Sequence, residues 1–105
     1  AEETTPEMLN QLAWGIYELA KDNKKDMSEP LTKAAMAAAE KAVKAEPENS
    51  MMLDTLAHLV HLQGDLDRAI ELQTEAAAHL DEASDDAKEE IEGFLEELKE
   101  EKAGK

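Results

Sequence analysis

Between Ser50 and Asp81, the residues SMMLDTLAHLVHLQGDLDRAIELQTEAAAHLD place Leu53, Leu56, Ala57 and Val60 before Gly64, and Leu66, Ala69, Ile70, Leu72, Ala76 and Ala77 after it. Apolar and small side chains at intervals of three and four make one face of a helix, and a single glycine breaking the pattern marks a tight turn. The stretch therefore reads as a helical hairpin. Thirty-four residues upstream, Ala35 and Ala42 stand where Ala69 and Ala76 stand in the hairpin's second half. A period of that length is the mark of stacked helical units, each burying its apolar face against the next. An all-α chain is expected.

The first half repeats the pattern with a displacement. Leu9, Leu12, Ala13 and Ile16 match Leu53, Leu56, Ala57 and Val60 at a distance of 44 residues, ten more than the period of 34. The first unit must therefore carry an insertion, placed at 20–29 by its polar sequence AKDNKKDMSE. A longer helix and turn would absorb it at little entropic cost; a binding loop is the alternative, since KDNKK is the one locally basic stretch. The apolar stripe of the first helix is read as Leu9, Leu12, Ala13, Ile16, Leu19 and Ala20, with Thr5 as its cap and Pro6 as its first residue. Ser28 is the expected cap of the second helix, whose stripe of Leu31, Ala34, Ala35, Ala38, Ala39, Ala42 and Val43 is dominated by alanine. Asn49 or Ser50 caps the third helix, and Ser84 a fifth, in which Ala87, Ile91, Phe94, Leu95 and Leu98 share a face, with Phe94 expected to be buried against the second helix of the hairpin.

The hairpin resembles a tetratricopeptide repeat. Leu53, the Leu56-Ala57 pair, Val60, the turn glycine Gly64 and the small residues Ala69 and Ala76 carry the resemblance, while Gln73 and Asp81 replace the family's large apolar residue and proline. The resemblance implies two such hairpins (6–49 and 50–83) and a capping helix (84–102) in one domain spanning 1–105, forming five helices and a fragment of a right-handed solenoid. It also implies that the first helix of each hairpin lines a concave groove. Glu7, Asn10, Trp14, Tyr17 and Glu18 would face it from the first unit, and Met51, Asp54, His58, His61 and Leu62 from the second.

Composition narrows the function. A chain of 105 residues buries only about two thirds of its unfolded surface, which leaves little room for a cofactor cavity, and no cofactor is expected. With 26 acidic and 11 basic residues the net charge is −15, which opposes a nucleic-acid partner, since phosphates are held by clustered Lys and Arg. No apolar run approaches the roughly 20 residues of a membrane span, so no membrane partner is expected and the domain reads as soluble. Cysteine is absent, which leaves bacterial periplasm and cytoplasm equally open.

Chemistry is sparse. Asp54, His58 and His61 lie at i, i+4 and i+7, a spacing that admits zinc but offers three ligands from one helix, so no metal is expected. No nucleophile elbow, cysteine or phosphate-cradling glycine loop is present, and an enzyme is not expected. The chain's one Trp and one Tyr both fall on the implied groove, where large amphipathic rings make interface anchors. The expected function is a protein-interaction module for a protein or peptide segment, apolar or basic rather than acidic, acting as a monomer or weak homodimer. Two alternatives remain. LNQLAW and MMLDTLA also resemble helical modules attached to thioredoxin-like bacterial envelope proteins, which implies an auxiliary structural domain, and a self-associating scaffold would bury the same apolar faces.

Overall fold

A computed structural model of the chain describes residues 5–22, 29–81 and 83–104. Five helices follow in order: α1 (Pro6–Asp22), α2 (Glu29–Ala45), α3 (Ser50–Leu62), α4 (Leu66–Ala78) and α5 (Asp85–Ala103). The described residues contain no strand, and the chain is all-α. Local chemistry sets the helix starts. Thr5 Oγ1 accepts from the Met8 amide at 3.1 Å, Asn49 Oδ1 from the Met51 and Met52 amides at 3.0 and 3.2 Å, and Ser84 Oγ from the Ala87 amide at 3.1 Å. Each satisfies amides that have no partner inside the helix. Asp65 Oδ1 does the same for Arg68 at the start of α4. Between α3 and α4 the chain turns on Gly64, whose φ of +92° is open to glycine and strained for residues with a Cβ.

The helices pack as two consecutive pairs, α1 on α2 and α3 on α4, joined through contacts of α2 with α3 and α1 with α3; α5 lies against α4. Both helices of the first pair have 17 residues where their counterparts in the second have 13. The helices themselves therefore take up most of the insertion. The binding-loop alternative and the Ser28 cap concern 23–28, which lies outside the described residues.

The period of 34 marks real equivalence, since Ala35, Ala42, Ala69 and Ala76 are all fully buried. Alanine buries little area but lets backbones approach. Larger side chains, Leu56, Leu59, Val60, Ile16 and Leu98, fill the main cluster around Ala13, Ala35, Ala39 and Ala69. A smaller cluster joins Leu53, Ala76 and Ile91 and fastens α5 to the second pair.

Three expectations are corrected. Leu31 and Ala34, read as part of the stripe of α2, are exposed near its start. Leu12 and Leu19 belong to no buried stripe: they are 56% and 59% exposed and share one side of α1 with exposed Met8. Leu12's equivalent, Leu56, is buried because α3 packs on α1, α2 and α4, whereas among the described residues the main packing partners of α1 are α2 and α3. Phe94, expected against α4, instead stacks on His58 of α3, with ring centroids 3.7 Å apart and planes 11° from parallel. The fully buried anchors of α5 are Ile91 and Leu98, which lie on the adjacent face.

A candidate partner-binding cleft

Three helices supply the walls of an open cleft of about 740 Å³. From α1 come Trp14 and Tyr17, one turn apart; from α3 come Asp54, His58 and His61; from α5 come Asp86, Glu89, Glu90, Gly93, Phe94 and Glu97. Each set follows helical spacing, so the cleft is a direct product of three parallel periodicities. The rings form a connected group. Trp14 and Tyr17 lie 5.0 Å apart between centroids, His58 meets both in T-shaped contacts at 5.1 Å, and Phe94 stacks on His58 and meets His61 at 5.7 Å. Edge-to-face and offset contacts of this kind hold ring positions without filling the space before them.

Of the groove residues expected from sequence, Trp14, Tyr17, Asp54, His58 and His61 are brought together here. Asn10, Glu18 and Met51 are not among the lining residues. Met51 is 45% exposed and borders a different hollow, near Pro47, His79 and Ala83. Asn10 is half-buried, and its Oδ1 is enclosed without a hydrogen-bond partner among the described residues. Glu18 is exposed and close enough to Tyr17 for its charge to be felt there. Glu7 and Leu62 likewise do not line the cleft. Sequence reasoning missed the whole α5 wall. Asp86, Glu90, Gly93 and Glu97 do share one face of α5 by helical spacing, but the spacing does not say what that face meets.

The polar centre of the cleft is organised from below by Gln73 of α4, which is fully buried. Its Nε2 donates to Asp54 Oδ1 at 2.7 Å and to the Ile91 carbonyl at 3.0 Å, so one amide ties α3, α4 and α5 together. His58 Nδ1 donates to the Asp54 carbonyl at 2.8 Å and lies 3.5 Å from its carboxylate. Since a carbonyl can only accept, that contact keeps the proton on Nδ1 in the neutral ring. His61 Nε2 is held 2.9 Å from Glu101 on α5. Among the described residues no three His, Cys, Asp or Glu side chains are arranged to hold a metal ion.

Burial raises the pKa of Asp54, and the charge of Glu90 adds to the rise, while His58 and the Gln73 hydrogen bond oppose it. Tyr17 is raised as well, first by burial and then by Asp54, Glu18 and Glu97. The consequence for stability follows from linkage. Below the unfolded pKa of about 4 Asp54 is protonated in both states; as pH rises toward the higher folded value the unfolded chain loses its proton first, so stability falls across that window and then levels off. Asp54→Asn should therefore melt above the wild type at pH 7, with the gap shrinking toward pH 4. Thermal unfolding at the two pH values checks this, and an unchanging gap would contradict it.

Gly93 occupies an exposed mid-helix position with no atom within 4 Å of where a Cβ would stand. Glycine is a poor helix former, and neither a turn nor a close contact requires it here. Gly93→Ala is expected to raise stability by about 0.5–1 kcal/mol, readable from a shifted denaturant midpoint. What the glycine preserves is open space on the cleft wall. Comparison with family models, curated proteins and solved structures gave no match for the chain.

Proposed function

We propose that the chain is a protein-interaction module, a tetratricopeptide-like pair of hairpins with α5 as capping helix, that takes an apolar or basic partner segment in the cleft between α1, α3 and α5. The observation that carries this reading is the cleft's lining. Three aromatic rings and two histidines stand beside five carboxylates, and none of the eleven lining residues is Lys or Arg. Rings of this kind contribute strongly when a partner desolvates them, and the surrounding charge steers cationic segments inward while repelling acidic ones. No cofactor, metal or nucleic acid has a part in this reading. No described helix is long and apolar enough to cross a membrane.

Trp14 is the chain's one tryptophan, so its emission reports events at the cleft without a label. Titration with a basic amphipathic peptide should give a saturable change that weakens with salt, and an acidic-tailed peptide should give none. Tight binding of the acidic peptide, or no response to either, would refute the assignment. One observation favours a second reading as a self-associating scaffold: Met8, Leu12 and Leu19 expose an apolar stripe on α1. Sedimentation at rising concentration, with Leu12→Glu as control, decides it.

A further inference from the structure

We propose that the cleft takes the guanidinium of one arginine side chain of the partner, with Asp54 at its floor and Trp14, Tyr17 and Phe94 as its walls. This rests on the reading of the cleft as a partner-binding face and adds the chemistry of its anchor.

Asp54 is the first ground. Its residue is only 9% exposed, yet among the described residues no Lys or Arg stands within ion-pair distance. The contacts of its carboxylate, with Gln73 and His58, both fall on Oδ1. A largely buried carboxylate with only the His58 ring beside it as a possible counter-charge is costly to a fold, and the cost falls when a ligand supplies a permanent charge. Its position at an open cleft, instead of inside the core, puts that charge within a ligand's reach.

The rings are the second ground, independent of the first. Trp14, Tyr17 and Phe94 are all half-buried and border the same space, so each keeps surface toward the cleft. A cation over such surfaces is attracted by their π-electrons, the more so once water is displaced. Guanidinium suits this combination better than ammonium. It is flat, stacks on rings, sheds water more readily and offers several N–H groups in a plane, which lets it bridge Asp54 and a rim carboxylate such as Glu90 or Glu97. Gly93 supplies the third ground: a residue that weakens its helix and leaves the entrance clear.

The experiment is a selection. A displayed library of random peptides is panned on the wild-type protein and counter-selected on Gly93→Met, a substitution with room for its Cβ that fills the cleft while improving helix propensity. The enriched sequences should share an arginine. The synthetic form of one such peptide, titrated against Trp14 emission, should lose at least about tenfold in affinity when that arginine becomes citrulline, which has the same shape without the charge. Asp54→Asn should weaken the arginine peptide comparably and leave the citrulline peptide nearly unchanged. An enriched consensus that lacks arginine but discriminates wild type from Gly93→Met would overturn the arginine anchor and leave the partner-binding reading standing. Equal affinity for arginine and lysine would overturn the guanidinium assignment. No enrichment over the Gly93→Met background would overturn both.

Discussion

Leu59→Ala is expected to lower stability by about 3–5 kcal/mol. Leu59 is completely buried and belongs to the cluster with Ala13, Ala35, Ala39 and Ala69. A truncated leucine costs most where its surroundings cannot close over the gap. Alanine side chains have no rotamers and move only with their backbones, so an alanine-rich wall is unable to relax inward, and the upper part of the range is expected. Phe94→Ala makes the useful contrast: its ring is half-buried at the cleft, and its loss should cost below about 2 kcal/mol. Denaturant titration of both variants measures the difference. A Leu59→Ala cost no greater than that of Phe94→Ala would show that the alanine layer is not the mechanical centre of the fold.

Gln73→Leu is the second large effect, with an expected loss of about 2–4 kcal/mol. The substitution nearly conserves volume, so its cost is one of polarity. It removes the hydrogen bond to the Asp54 carboxylate and leaves that carboxylate in a largely buried site with the His58 ring 3.5 Å away. It also removes the donor to the Ile91 carbonyl that ties α5 to α4. One gain offsets part of this, because Gln73 Oε1 is buried without a partner among the described residues and an apolar side chain has no such atom. In the Asp54→Asn background the same change should cost clearly less, since the stranded charge is gone. A double-mutant cycle isolates the coupling. If Gln73→Leu stabilises the protein outright, the amide is not the bracket holding α3, α4 and α5.

The same residues show how far the sequence reached. The alanine pairs at a spacing of 34, the Gly64 turn and the caps at Thr5, Asn49 and Ser84 are local signals, and the five helices follow from them. Leu53, Leu56, Ala57 and Val60 of α3 were readable as inward positions, whereas Met52, Thr55 and Leu59 are buried as well, because a helix with neighbours on several sides buries more than one stripe. Leu12 and Leu19 were not readable in that way. An apolar periodicity records how much of a helix is hydrophobic, whereas burial depends on how many neighbours it has, and α1 has fewer than α3. Gln73 looked like a departure from a pattern, and its role emerged only once Asp54 and Ile91 were placed beside it. Five of the cleft residues could be named from α1 and α3, but the α5 wall depended on the direction in which the last helix crosses, which helical spacing does not encode.

The proposal that a partner sits in the space between α1, α3 and α5 is tested most directly by Gly93→Met. The added side chain extends from a wall with no atom within 4 Å of its Cβ, so the fold should be as stable as the wild type or more so while the cleft is filled. Trp14 emission is followed while a basic amphipathic peptide is titrated into both proteins. Saturable, salt-sensitive binding is expected of the wild type, and at least about a tenfold loss of affinity in the equally stable variant. Equal affinity of the two proteins for the peptide would contradict the proposal.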